Sequence, residues 1–175
     1  MDYAQIDALL RKEVIPAIGC TEPVAVSLCV AKACETLGSL PEKIVVALSP
    51  NIYKNAMGVG IPNTGMTGLP IAVALGAVAG RSEYGLEVLR DVTKEDVIRA
   101  KKLLDEVQPS IFVTEESDDI LFIKVVVEAG ADCAEAVISG THTNFSSIRR
   151  NGEKVVANEV EKEAVAESDE LQLSL

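Results

Sequence analysis

The stretch that decides the fold is ILFIKVVVEAGADCAEAVISGTHTNFSSIRRNGEKVVA, residues 120–157. Its runs ILFIKVVVEAG, AEAVISG, FSSIRR and EKVVA are rich in β-branched and other apolar residues, and they predict four strands. The connections between the runs are short, and Asn151 followed by Gly152 is a turn signal before the last one. These features favour an antiparallel meander.

The chain before this meander combines helical patterns with one short strand. Lys43–Leu48 (KIVVAL) is β-branched and predicts a fifth strand. The predicted helices, with Thr21 and Thr93 as N-caps of the second and the last, cover residues 2–14, 21–37, 69–79, 83–90 and 94–107. We therefore expect an α+β fold, with a mostly antiparallel sheet of about four or five strands packed with helices on one face.

The length of 175 residues suits a single domain, and the last part of the chain differs from the rest. Residues 153–175 hold seven acids and two lysines. The final ELQLSL resembles the start of another apolar helix or strand that does not continue. We expect residues 1–158 to form the α+β N-terminal domain of a longer enzyme. Residues 159–175 would be an acidic linker or the start of a missing C-terminal part.

Composition and charge exclude several classes of partner. Lys plus Arg is 16 against 27 Asp plus Glu, a net charge of -11, which argues against nucleic acid because phosphate binding needs clustered cations. The longest apolar stretch, residues 68–80, is shorter than the ~20 residues of a membrane span, and the N-terminus lacks a signal-peptide pattern. We expect a cytoplasmic protein with reduced cysteines, and a homodimer built from aliphatic surfaces stays open.

The segment GCTEP places Cys20 directly before a helix start. Backbone N–H groups and the helix dipole at this point favour an anion, which would lower the thiol pKa and suit a metal ligand or nucleophile. The alternative from the spacing alone is a half-buried cysteine in a turn, with Glu22 as an ordinary first-turn acid. Cys29 and Cys34, inside an apolar helix, and Cys133, in a hairpin, are assigned to the core.

A second candidate segment, residues 49–70, is rich in glycine and proline and carries interleaved polar residues. It has no phosphate-loop or dinucleotide-binding motif. Its backbone amides, ahead of the helix that begins near Leu69, could bind a small carboxylate, while Asn51, Lys54 and Asn55 suit a ligand with a carboxylate and an amine. The alternative is a compact loop packed for shape.

The third candidate is GTHTN, residues 140–144, which holds the one histidine of the sequence. His142 lies at a turn between two predicted strands and could act as an acid or base. The alternative is a polar turn in which Thr141, Thr143 and Asn144 satisfy backbone groups. No second histidine is present for a catalytic triad or a zinc site.

Three strings together, PAIGCTEPVAV, SPNIYKNAMGVGIPNTGMTGLPIAVALG and ISGTHTN, resemble the L-cysteine desulfidase group of the iron–sulfur L-serine dehydratase alpha-chain family. The resemblance implies a lyase that works without PLP in amino-acid catabolism. Its reaction would be an α,β-elimination on L-cysteine, giving sulfide, ammonia and pyruvate, or on L-serine, giving ammonia and pyruvate. It also implies a [4Fe–4S] cluster held by three cysteines, the first of which matches Cys20 as a metal ligand.

The other cluster cysteines of that family lie beyond the end of this chain, so the resemblance predicts a chain that lacks the cluster and is inactive alone. The alternative is a non-catalytic amino-acid-binding or regulatory module. Within the matching motifs we propose Lys54 or His142 as the base. The residues expected to bind the substrate are Thr21, Glu22, Asn51, Asn55, Thr64, Gly65, Thr67 and Asn144.

Overall fold

The structure is a computed structural model, and it describes residues 4–5, 20–61 and 64–155. Of the predicted first helix, residues 2–14, only residues 4 and 5 are described, and both are helical. The predicted tail, residues 159–175, lies outside the described residues. The α+β class is confirmed.

In the described part of the chain, helices lie mainly in the first two thirds and strands mainly in the last third. The α-helices are α1 (Thr21–Leu37), α2 (Pro50–Ala56), α3 (Leu69–Ala79) and α4 (Lys94–Glu106), and a 3₁₀ helix covers Ser82–Glu87. The strands are β1 (Lys43–Leu48), β2 (Ser110–Val113), β3 (Phe122–Ala129), β4 (Asp132–Ser139), β5 (Phe145–Arg150) and β6 (Glu153–Lys154).

The six described strands form one sheet in the order β2-β1-β3-β4-β5-β6. All neighbouring pairs are antiparallel except β1 with β2. Burial alternates along β3 and shows which face of the sheet the helices cover. The side chains of Ile123, Val125 and Val127 are fully buried, whereas those of Lys124 and Val126 are only partly buried. The first set faces the helices.

Helix α1 is the centre of the fold, since it packs against β3 and β4 on one side and against α3 on the other. This position explains why its sequence is apolar around most of its circumference. Helix α3 runs parallel to α1, because Ser27 Oγ donates to the Ala72 carbonyl at 2.7 Å and Ala31 lies beside Gly80. Parallel packing places the N-termini of α1 and α3 at the same end of the molecule.

Several sequence expectations hold at the level of single elements. The strand Lys43–Leu48 and the helix Leu69–Ala79 have the bounds expected. Gly38 ends α1 in a left-handed conformation (φ 83°), and its N–H donates to the Cys34 carbonyl. The four predicted meander strands are all present, although β6 is only two residues long.

Other expectations are wrong. The N-cap of α1 is Cys20 and not Thr21, which is the first helical residue. The segment expected to be an irregular loop starts with helix α2, which has Ser49 as its N-cap and Pro50 in its first turn, where the missing proline N–H costs nothing. The helix expected at residues 83–90 is a 3₁₀ helix interrupted at Gly85, and β2 was not expected.

Helix α4 begins with a capping box, and this feature gives a first testable prediction. Thr93 Oγ1 accepts from the Asp96 N–H, and Asp96 Oδ2 accepts from the Thr93 N–H. Thr93→Ala removes the bond from the Asp96 N–H and the bond that the Thr93 hydroxyl donates to Asp96 Oδ2, and it should lower the free energy of unfolding by about 1 kcal/mol. Urea denaturation followed by circular dichroism measures the change. The control is Thr141→Ala, an exposed position outside the helices whose side chain makes no hydrogen bond in the described residues. An unchanged midpoint for Thr93→Ala would contradict the role given to this cap.

Candidate functional site

The N-terminus of α1 joins two of the candidate residues directly. Cys20 is the N-cap in extended conformation, and its side chain makes no capping hydrogen bond. The Cys20 Sγ–H instead donates to Glu22 Oε2 at 3.1 Å. The Thr21 hydroxyl donates to the same oxygen, also at 3.1 Å. One oxygen of the Glu22 carboxylate is therefore held by two neighbours in its own sequence.

The second oxygen of Glu22 faces His142. His142 Nε2 lies 3.8 Å from Glu22 Oε1, a distance that permits an ion pair but is too long for a direct hydrogen bond. The two side chains are 31% and 20% exposed, so solvent reaches both. Glu22 thus lies between a thiol and an imidazole that are more than a hundred residues apart in the sequence.

The β4–β5 turn fixes the position of His142. The Ser139 N–H donates to the Asn144 carbonyl at 3.1 Å, and Asn144 Nδ2 donates to the Ser139 carbonyl at 2.9 Å. Gly140 adopts a positive φ of 82°, which a residue with a side chain would adopt only with strain. The Asn144 side chain therefore closes the turn that carries His142.

The electrostatics of the cluster reverse one expectation. Burial raises the pKa of the Cys20 thiol, and the hydrogen bond to the Glu22 carboxylate raises it further. The thiol hydrogen bond, more than any other cause, lowers the pKa of Glu22, and the charge of His142 lowers it as well. At neutral pH the site holds a neutral thiol and a carboxylate, so the thiolate expected from the helix dipole is wrong for this arrangement.

The polar residues of the segment 49–70 divide into two groups. Asn51, Lys54 and Asn55 lie on helix α2 and are exposed, and Asn55 Nδ2 donates to Asn51 Oδ1 at 3.4 Å. In the described part of the chain, no hydrogen bond or ion pair joins the side chain of Lys54 to another residue. Their role in binding stays a prediction.

The second group stabilises the loop before α3. The Thr64 hydroxyl donates to the Ile61 carbonyl at 2.8 Å and accepts from the Met66 N–H at 2.9 Å. Thr67 pairs with Gly60 in an isolated β-bridge, and Gly65 has a positive φ of 64°. These contacts give the polar and glycine residues of the loop a structural role. A direct role of Thr64, Gly65 or Thr67 in binding stays a prediction.

All of these candidates lie at one end of the sheet. Leu48, at the end of β1, pairs with Ile123, and Phe122, at the start of β3, pairs with Ser139, at the end of β4. The segment after β1 and the β4–β5 turn therefore leave the sheet at the same end, where α1 and α3 begin. The axes of packed helices are about 8–10 Å apart, so the two helix N-termini are neighbours.

In the described part of the chain, neither of these two N-termini has a side-chain cap. The N-cap of α1 is Cys20, whose side chain accepts no bond from the first turn, and the N-cap of α3 is Gly68, which has no side chain. The positive ends of two helix dipoles meet at this end of the molecule and favour an anion, although Pro23 and Pro70 each remove one N–H group from a first turn. Sequence reasoning identified both helix starts but missed that they are adjacent, because only the packing of Ser27 and Gly76 brings them together.

The remaining cysteines do not join the cluster. Cys29 is buried, and its Sγ–H donates to the Ala136 carbonyl at 3.3 Å, while burial raises the pKa of Cys34 to about 12. Both belong to the core as expected, but Cys133 is partly exposed in β4, so its assignment to the core is wrong. Cys29 is nine residues after Cys20, roughly 13 Å along the helix. In the described residues, no group of three or more Cys, His, Asp or Glu side chains is arranged to hold a metal ion.

Comparison with known proteins corrects the functional assignment. The chain is 57% identical over 172 residues to the UPF0597 protein BF3560 of Bacteroides fragilis, and the match covers 98% of this chain and 40% of the relative. It is 52% identical over 171 residues to a UPF0597 protein of Phocaeicola vulgatus, covering 98% and 40%. It is 46% identical over 166 residues to a UPF0597 protein of Dichelobacter nodosus, covering 93% and 38%. The chain thus spans about two fifths of the length of these curated relatives.

These names overturn the resemblance given by the sequence motifs. Relatives that match nearly the whole chain carry the UPF0597 name, which states no activity, and not the name of a desulfidase or dehydratase. The assignment to the L-cysteine desulfidase group is therefore wrong. The description of the chain as part of a metal-binding iron–sulfur lyase, which followed from that assignment, is wrong as well. No family model matches the chain. No solved structure matches it either.

One further expectation concerned membranes. Among the helices of the described residues, none is both long and apolar enough to span a bilayer. The cytoplasmic location stays a prediction.

Proposed function

We propose that the site formed by Cys20, Glu22 and His142 binds a small free amino acid. The observation that carries the proposal is the Glu22 carboxylate, which is held between a neutral thiol and an imidazole beside two uncapped helix N-termini. Such a site offers both charges that a zwitterion needs. The positive ends of the two helix dipoles favour the ligand carboxylate, and Glu22 favours its ammonium group.

The geometry around Glu22 supports an ammonium group at one defined place. Glu22 Oε2 already accepts from Cys20 and Thr21, whereas Oε1 faces His142 across 3.8 Å. A ligand N–H placed at Oε1 would make a charge-assisted hydrogen bond with a carboxylate whose lowered pKa keeps it ionised at neutral pH. His142, partly exposed on the same side, would then contact the ligand and could accept a proton from it.

Binding measurements test the proposal. Isothermal titration with L-serine, L-cysteine, L-alanine and glycine should give saturable binding. Acetate and ethylammonium, which each carry one half of the zwitterion, should bind at least about tenfold more weakly. Glu22→Gln keeps the size of the side chain and removes the charge, and it should weaken amino-acid binding by about tenfold or more.

The matched control is Glu106→Gln, which removes one carboxylate from the last turn of α4, where the side chain is 61% exposed. Its affinity for the amino acid should equal that of the unmodified protein. Two results would sink the proposal: acetate binding as well as L-serine, or Glu22→Gln binding L-serine with unchanged affinity.

A further inference from the structure

The two edges of the sheet differ in how well they are protected. One edge is β6, which is two residues long and consists of Glu153 and Lys154. Short, charged strands of this kind resist pairing with other chains. The other edge is β2, whose four residues, SIFV, carry no charge and no proline. In the described part of the chain, β2 pairs only with β1.

The backbone of β2 offers hydrogen-bonding groups on its free side. The Thr114 N–H donates to the Leu48 carbonyl, so residue 114 and, by alternation along the strand, residues 112 and 110 point toward β1. The N–H and C=O groups of Ile111 and Val113 therefore point away from the sheet. These two N–H donors and two C=O acceptors could form backbone hydrogen bonds with one additional strand.

Large apolar side chains accompany this edge. Phe112 and Val113 are 45% and 43% exposed. Phe112 pairs with Ala47 on the open face of the sheet, and Val113 pairs with Leu48 on the helix face. An added strand would contact apolar side chains on both faces.

The residues that follow β2 are strongly acidic. Residues 108–123 contain four acids and no Lys or Arg. All four of these carboxylate side chains, Glu115, Glu116, Asp118 and Asp119, are exposed. Glu116 forms an ion pair with Lys124, and no ion pair in the described residues involves the other three. The end of this edge therefore favours a positively charged partner.

We propose that the free edge of β2 binds an extended polypeptide segment that adds a strand to the sheet and carries Lys or Arg next to residues 115–119. Main-chain hydrogen bonds to Ile111 and Val113 would give affinity, and the apolar and acidic side chains would give specificity. A second copy of the chain suits the edge less well, since it brings the same acids and a net charge of -11.

The probe is a fluorescein-labelled ten-residue peptide that alternates threonine and valine and ends in three lysines. We expect saturable binding by fluorescence anisotropy, weaker in high salt, with slower hydrogen exchange at the amides of Ile111 and Val113. Val113→Pro removes one outward N–H and leaves the bonds to β1 in place, and it should weaken binding by about tenfold. Val113→Thr keeps the N–H and the branched side chain, and it should bind within about twofold.

Two further comparisons make the experiment decisive. The same peptide with glutamates in place of lysines should bind at least about tenfold more weakly. Asp118→Asn together with Asp119→Asn should lower the affinity for the lysine peptide, whereas Asp105→Asn on α4 should not. Equal binding by Val113→Pro and Val113→Thr would overturn the proposal. So would concentration-dependent self-association of the chain through β2 in sedimentation experiments without peptide.

Discussion

Gly76→Ala is expected to destabilise the protein by about 2–3 kcal/mol, although the same change stabilises an ordinary helix. A Cβ atom at Gly76 would lie 2.5 Å from the Ser27 carbonyl oxygen and 3.0 Å from the Ser27 Cα. Both atoms belong to the backbone of α1, so they can yield only if the two helices separate. Separation would also weaken the buried bond from Ser27 Oγ to the Ala72 carbonyl.

Urea denaturation measures this effect, with Gly60→Ala as the control because a Cβ at Gly60 meets no atom within 4 Å. Alanine is a better helix former than glycine by about 1 kcal/mol, so a Gly76→Ala variant more stable than the parent would contradict the close packing. Moving α3 away from α1 also moves the second helix N-terminus away from Glu22. The affinity for an amino acid should therefore fall in Gly76→Ala and stay unchanged in Gly60→Ala.

The strands were predictable because their signal is local. The β3 sequence is rich in β-branched and other apolar residues, and this composition was the basis of the strand prediction. Strand β2 lacks such a signal, since it has four residues and its partner β1 precedes it by about sixty positions. A parallel pair depends on the packing of the intervening helices, which periodicity does not describe.

The missed helix α2 has a different cause. The glycines and prolines of residues 49–70 favour irregular structure, but they are concentrated after Ala56, and PNIYKNA contains only a proline in the first turn, where a helix accepts it. Buried Ile52 and Ala56, four positions apart, are the periodic signal that was overlooked.

The candidate site could be predicted residue by residue but not as an arrangement. Cys20 and His142 stood out because each is a chemically versatile residue at the end of a predicted element. That Glu22 lies between them depends on the β4–β5 turn meeting the start of α1, a contact between residues far apart in sequence. The pKa of the Cys20 thiol was wrongly expected to be low, because the helix dipole was considered without the burial of the thiol and without its hydrogen bond to the Glu22 carboxylate, both of which raise the pKa.

Leu28→Ala is the second change with a large expected effect, because Leu28 lies at the centre of the fold. The side chain is 1% exposed on α1, the helix that packs against both the sheet and α3. Removal of three carbon atoms from a site covered on two sides leaves a cavity that neither the sheet nor α3 can fill by moving alone. Substitutions of this kind cost about 3–4 kcal/mol, a large part of the stability of a domain.

The control for Leu28→Ala is Ile98→Ala, a change of similar size at a helix position that is 67% exposed. Its free energy of unfolding should stay within about 0.5 kcal/mol of the parent, since a surface substitution loses little burial. A loss below about 1 kcal/mol for Leu28→Ala would contradict the central position of α1. Cys20 is the N-cap of α1 and Glu22 lies in its first turn, six residues before Leu28. At a temperature where the Leu28→Ala variant stays folded, its affinity for an amino acid should therefore be unchanged. Such a result would show that Leu28 contributes to the stability of the protein but not to amino-acid binding. Leu28 packs in the core on the helix that carries the site, and it does not contact the ligand.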